Sequence, residues 1–305
     1  MTNSDEKFRH AYWAEQMELG YQLVQQILAF EVRECGERFA SLRDAVDDDG
    51  VEILFSTSKI VGELDRIFFL RESLVRDVIA IGREMNRRGW ILKIEDGYRS
   101  IAMQKQLGSK PELFDAILKK CIWENSGVIP PVDLVFRRGS VLIANVPKVG
   151  THMSGSAIDI SVFRRDDGEE VWRGNSYLEM SERTPMRSPF IEAESLRNRL
   201  EITALMEAYG FMHFPFEFWH YNKDDALGHI LTGKAVPAWF GPVHWDPLTN
   251  RVTPVEFPSN PLRPLPEIEQ EIAAAVERAR LQEEGRGSKC GNRIETGVLK
   301  AGWNR

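Results

Sequence analysis

Apolar positions recur at helical spacing over residues 8–46, at Leu19, Leu23, Ile27 and Phe30 and again at Val32 and Phe39, so the chain opens with helix. Asp47-Asp48-Asp49-Gly50 reads as a turn. A second helical run from Lys59 to Arg88 carries Ile60, Leu64, Ile67, Leu70, Leu74, Val78, Ile81 and Met85, and Gly89 stands where a C-cap belongs. Trp90–Glu95 reads as a strand leading into Asp96-Gly97-Tyr98-Arg99-Ser100, with a helix starting near Ser100 and carrying Gln104. Pro111–Glu124 is a further helix, its proline in the first turn. After Pro130-Pro131, the segments Val132–Phe136 and Val141–Val146 have the apolar, β-branched character of strands.

The second half is more broken. A strand runs through Ile160, Val162 and Phe163, and polar residues 164–189 read as a long surface loop. Asn198–Tyr209 is helical and stops at Gly210, and Phe211–Tyr221 is a strongly aromatic, strand-like run. Eight prolines between Pro237 and Pro266 mark an irregular wrap over a surface. Glu267–Glu284 is a charged amphipathic helix, and a mobile tail is expected over Gly285–Arg305. No internal repeat is evident.

Composition narrows the partners. The 305 residues are 43% apolar, enough for a real core, and 28% charged with a net charge of −7. That balance argues against a nucleic-acid surface or a basic wall-binding module. Nothing resembles a membrane span, which needs ~18 consecutive apolar residues. The start, Met-Thr-Asn-Ser-Asp-Glu-Lys, shows no secretory pattern. Cys35, Cys121 and Cys290 are odd in number and far apart, so they read as idle thiols rather than a disulfide framework. A cytoplasmic address is expected.

Two stretches carry chemistry. Thr151-His152-Met153-Ser154-Gly155-Ser156-Ala157-Ile158-Asp159 offers an imidazole and, seven residues on, a carboxylate; Glu217-Phe218-Trp219-His220 offers a carboxylate and an imidazole. Two histidines and an aspartate are a ligand set for one catalytic zinc per chain, leaving a position open for water. Glu217 is then the proton acceptor, and Arg99, at the end of a strand, the positive group for a developing oxyanion. Small Gly155 and Ala157 suit the turn that brings His152 and Asp159 together. Residues three apart point to opposite faces of a regular strand, so Glu217 and His220 require a bulge or tight turn. Asp96 and Tyr98 are read as positioning Arg99. His213, His229 and His244 are read as core or surface histidines.

His152-x-x-Gly155-x-Ala157-x-Asp159 followed by Glu217-x-Trp219-His220 resembles the zinc D-Ala-D-Ala metallopeptidases. These include vancomycin-resistance dipeptidases and D,D- and L,D-carboxypeptidases, related in fold to lysostaphin-type peptidases and the Hedgehog signalling domain. Gly97-Tyr98-Arg99-Ser100-x-x-x-Gln104 is similar to the family's arginine motif, and the resemblance spans roughly residues 70–225. It implies a small α+β domain with an antiparallel sheet carrying the site, His152, Asp159 and His220 as ligands, Glu217 as base and Arg99 as electrophilic helper. Tyr98, Gln104, Thr151 and Ser154 are further supporting candidates. Two departures stand out: Gly150 and Thr151 replace serines of the dipeptidase branch, and Tyr177-Leu178-Glu179-Met180 lacks the aspartate that branch uses for the substrate amine. The expected organisation is a helical extension over 1–60, a zinc peptidase-like domain over 61–225, and a proline-rich wrap, charged helix and tail over 226–305. The expected activity is hydrolysis of a small peptide or peptide-like amide, peptidoglycan-derived or from specialised metabolism. The competing readings are a family member turned to another amide or ester, and a non-catalytic zinc-stabilised binding module.

Overall fold

The computed structural model describes residues 3–60 and 63–287. In chain order its elements are α1 (Asn3–Ala29), β1 (Phe39–Ser41), α2 (Leu42–Asp49), β2 (Ile53–Phe55), β3 (Phe69–Arg71), α3 (Glu72–Arg87), β4 (Trp90–Asp96), α4 (Ile101–Gly108), α5 (Pro111–Glu124) and α6 (Val132–Leu142). A 3₁₀ turn over Thr151–Ser154 precedes β5 (Ala157–Arg164), α7 (Ala193–Ala208), β6 (Met212–His213), β7 (His220–Asn222), α8 (Ala226–Leu231), β8 (Val243–Asp246), β9 (Arg251–Pro254) and α9 (Leu265–Gly287). The class is α+β. The tail expected to be mobile falls, from residue 288 on, outside the described residues.

The central sheet has the order β2-β4-β5-β7-β6. Its β4-β5-β7-β6 part is antiparallel, as expected, but β2 joins β4 in parallel through Ile53↔Leu92 and Phe55↔Ile94. The sheet is therefore mixed, and residues of the expected N-terminal extension supply one of its strands. Alternation along β5 sends Ile158, Ile160 and Val162 into a core with α3 and α7, and sends Asp159 to the other face. In β4, Leu92 and Ile94 share that core. A register shift between Ile94 and Asp96 lets two residues of β4 oppose one of β5, so Ile94 pairs with Ile160 and Asp96 with Asp159. That bulge turns Asp96 from the core face to the site face.

A second core lies among α1, α5, α6, α8 and α9, around Trp13, Met17, Ile117, Leu118, Val141 and Ile272. Gly20 lets α1 approach α6 closely, since a Cβ there would stand 2.7 Å from Val141 Cγ1.

Several expected elements differ. Val132–Phe136 and Val141–Val146 are not strands: α6 covers Val132–Leu142 and buries Val135, Arg138, Val141 and Leu142. Those positions fall at helical intervals, and their contact with α1 and α5 outweighs the β-propensity of valine. The helix expected from Lys59 starts only at Glu72. Ahead of it Ile60 pairs with Leu64 in a local bridge and Phe69–Arg71 pairs with Phe39–Ser41. Arg71 explains the change, because its buried guanidinium is held by both carboxylate oxygens of Glu34 at 2.9 Å and by the Ser154 carbonyl at 2.6 Å. Nor is the stretch 8–46 helical throughout: α1 ends at Ala29, Phe39–Ser41 is strand β1, and α2 runs through the expected turn residues as far as Asp49. Within the proline-rich wrap, β8 and β9 pair as an antiparallel hairpin. Elsewhere Ser100 caps α4 through the Met103 N–H, Pro111 opens α5, and Gly89 adopts φ 76° behind α3.

Candidate active site

Three neighbouring strands and the turn before β5 deliver the site. Sheet register pairs Asp159 with Asp96 on one side and with His220 on the other. The 3₁₀ turn brings His152 over the same strand ends, and Gly155 closes it at φ 70°. A Cβ on Gly155 would meet the Phe39 ring at 2.1 Å, so the left-handed backbone and the close ring both call for glycine. The aromatic run is not one strand. It is β6, a turn through Phe214–Trp219, and β7, with the Glu217 N–H on the Phe214 carbonyl and the His220 N–H on the Glu217 carbonyl. This tight turn aims Glu217 and His220 into one cavity.

His152, Asp159 and His220 are buried, and their ligand atoms lie within 4.8 Å of one another. Asp159 Oδ1 is 3.2 Å from His152 Nε2 and 3.0 Å from His220 Nδ1. The other nitrogens are engaged: His152 Nδ1 is 2.7 Å from the Gly97 carbonyl and His220 Nε2 is 2.7 Å from Thr151 Oγ1. A carbonyl only accepts, so His152 Nδ1 carries the proton and its bare Nε2 faces a carboxylate oxygen. Two acceptors this close repel unless positive charge, a proton or a metal ion, stands between them. Two nitrogens and one carboxylate oxygen, each backed by an outer hydrogen bond, are a donor set that fits a divalent cation.

Charge on the trio is preset for such an ion. Burial opposes ionisation of Asp159, but the two imidazoles outweigh it and hold the carboxyl well below the usual range. Burial pushes His220 down, against the pull of Asp159. Asp159 Oδ2 accepts from the Tyr177 hydroxyl at 2.9 Å and from Arg99 Nη2 at 3.3 Å. Burial and the Asp159 charge raise Tyr177 well above a normal phenol, so it stays a donor.

Arg99 is held on three sides, by Asp96 Oδ2 at 2.6 Å, by Asp159, and by Gln104 Oε1 at 3.4 Å. Burial works against its charge, and the two aspartates more than restore it. Asp96 also pairs with Arg66 at 3.4 Å. Glu217 is half-buried on the wall of the same cavity. Removal from water, with the Asp159 charge adding to it, pushes its carboxyl up to about 8, against Arg99 and the Trp219 side chain.

Not every candidate sits on that wall. Tyr98 turns away: its hydroxyl donates to the Val243 carbonyl and its ring packs on Phe39 and Trp245. Ser154 lies beneath the turn, donating to the Thr151 carbonyl. Gln104 stands behind Arg99. Sequence reading missed Tyr177 as a partner of Asp159 and Arg66 as a partner of Asp96. Only long-range pairing places them, and no local pattern marks either.

The cavity is about 230 Å³, with this polar cluster at one end and apolar side chains at the other. None of the described helices is long and apolar enough to cross a membrane. A family model described as D-ala-D-ala dipeptidase matches residues 88–237, which contain every candidate ligand together with Arg99 and Glu217. The D-alanyl-D-alanine dipeptidase of Enterococcus faecium is 28% identical over 181 residues, covering 58% of this chain and 78% of the relative. That of Enterococcus faecalis is 27% identical over 180 residues, with the same two shares of 58% and 78%. The Escherichia coli D-alanyl-D-alanine dipeptidase is 28% identical over 100 residues, 33% of this chain and 51% of the relative. Residues 88–237 are thus similar to the D-ala-D-ala dipeptidase family, and the likeness supports a peptidase.

Proposed function

We propose that this chain is a zinc-dependent hydrolase of a peptide or peptide-like amide bond, with His152, Asp159 and His220 holding the metal. The observation that carries the reading is the meeting of those three side chains at the end of a cavity whose wall also bears Glu217 and Arg99. Zinc held there would supply Lewis acidity, to an attacking water and to the oxygen of the carbonyl whose carbon that water attacks. Glu217 as carboxylate accepts a proton as water oxygen adds to the carbonyl carbon, and returns it to the nitrogen as the carbon–nitrogen bond breaks. The products are a carboxylate and an amine. Arg99, kept cationic by Asp96 and Asp159, faces the oxygen on which negative charge builds. Gln104 and Asp96 orient Arg99, and Tyr177 holds the outer oxygen of Asp159.

A binding module with a purely structural metal needs neither an acid with a raised pKa nor a buried arginine beside the ion. Both are present, which favours catalysis. The relatives' names speak of D-alanyl-D-alanine, and a small peptide or peptide-like amide is the substrate class proposed here. Protein purified without added metal should hold about one zinc per chain. Glu217→Gln should keep that zinc and lower turnover of a cleavable amide by ~10²–10⁴. Full turnover in the variant would remove Glu217 from the reaction, and a folded protein with no affinity for zinc would remove the metal.

A further inference from the structure

The cavity continues past the candidate metal ligands, and there its wall changes character. Ile27 of α1, Leu113 of α5, Val141 and Leu142 of α6, Met180 of the long loop and Leu227 of α8 close it. Most of these belong to the second core, so this end is an unfilled part of a packed apolar interior. Ile27 lies outside the segment matched by the family. The long N-terminal helix thus supplies substrate-facing wall as well as bulk.

The carboxylates on this wall all stand at the polar end. Asp96 is shared by Arg99 and Arg66, Asp159 faces the two imidazoles and Tyr177, and Glu217 sits on the turn beside His220. Among the described lining residues no acid stands at the apolar end. Glu179, next to Met180, is exposed and does not line the cavity. An ammonium driven into that end would lose its water and gain no partner. A pair of methyl side chains would leave most of the wall without contact.

We infer that the site takes an amide carrying, on one flank, a bulky uncharged aliphatic or aromatic group and no free ammonium, with that group lodged between α1, α5 and α6. This rests on the zinc-hydrolase reading of the polar end. A free dipeptide of two small residues is then a poor substrate, because it brings a charge where the wall is apolar and little surface where the wall is large.

Linear alkyl hydroxamates test this, since the headgroup binds zinc and the chain probes the wall. On the full-length zinc-loaded protein, calorimetry from acetohydroxamate to octanohydroxamate should show affinity rising roughly three- to fourfold per methylene until the end is filled. 6-Aminohexanohydroxamate, with its terminal ammonium, should bind at least tenfold more weakly than hexanohydroxamate. Met180→Trp, at a partly buried loop position, should flatten the chain-length series by filling the same space. A flat series in the unaltered protein, or equal affinity for the charged and uncharged six-carbon probes, overturns the inference while leaving the metal site standing. Failure of acetohydroxamate and every longer probe to bind overturns the zinc reading and this inference with it.

Discussion

Asp159 is the residue on which the site converges, with one oxygen turned to both imidazoles and the other to Tyr177 and Arg99. The outer partners then decide which ring nitrogen is free. With a cation on Nδ1, the proton of His220 lies on Nε2, where Thr151 Oγ1 at 2.7 Å accepts it. Thr151→Val keeps the shape but strands that buried N–H, so zinc affinity should fall about 10–100-fold, read by competition with a chromophoric chelator. Unchanged affinity would mean that the hydroxyl plays no part in orienting the ring. Glu217 makes a separate claim through pH. Its carboxyl lies near 4.5 in the unfolded chain and about 8 in the metal-free fold, so between these values the unfolded state releases a proton that the native state keeps. Stability is therefore fullest below about pH 4.5 and falls as pH rises towards 8, by a contribution of order 3 kcal/mol. In metal-free protein Glu217→Gln should remove that slope and gain on the unaltered chain most clearly at pH 8, measured by urea unfolding at a series of pH values. Parallel curves for the two proteins would show that Glu217 titrates as an ordinary exposed acid.

At the scale of elements, the chemistry depends on three local irregularities: the bulge in β4, the left-handed Gly155, and the turn ahead of β7. Gly155→Ala meets both a disfavoured backbone angle and the Phe39 ring. It should cost roughly 2–4 kcal/mol and weaken zinc binding in the same variant, because the turn that displaces is the one carrying His152. Normal unfolding and normal zinc uptake would show that the ring moves aside freely. Much of this was legible beforehand. The spacing of His152 and Asp159 around two small residues, and the conflict between a strand and the three-residue step from Glu217 to His220, already required turns where turns occur. The bulge was not legible, since Trp90–Asp96 reads as a continuous strand and only its pairing with β5 turns Asp96 round. Nor was α6, whose valines favour a strand until α1 and α5 are in place to bury one face. The parallel strand β2 was hidden for a similar reason. Three residues of Ile-Leu-Phe behind a turn carry no signal for a partner nearly forty positions away.

The whole molecule is two cores meeting at one cavity, the sheet with α3 and α7 supplying the polar end and the helical layer supplying the apolar end. Residues ahead of the family segment contribute to both. Glu34 grips Arg71, which in turn holds the carbonyl of Ser154, and Arg71 N–H bonds to the carbonyl of Gly155. Glu18 of α1 reaches Arg138 of α6, itself bound to Glu124 of α5. Trp13 is the largest side chain that α1 buries, at 1% exposure, with Lys120 Nζ 4.7 Å above its ring. If α1 were an appendage, truncating this ring would unfold α1 alone; if it is part of the second core, the loss spreads to α5 and α6. Trp13→Ala should therefore destabilise the whole chain by about 3–5 kcal/mol in one cooperative transition. Trp13→Phe separates packing from polarity, because the indole Nε1 is buried without a partner and phenylalanine deletes that N–H while keeping most of the ring. It should cost less than about 1.5 kcal/mol, the lost contact being offset by the unpaired group removed. Denaturant unfolding followed both by far-ultraviolet dichroism and by zinc release distinguishes the two cases. Coincident transitions shifted together in Trp13→Ala make α1 part of the enzyme's core, and an early dichroism change with zinc still held would make it a detachable arm.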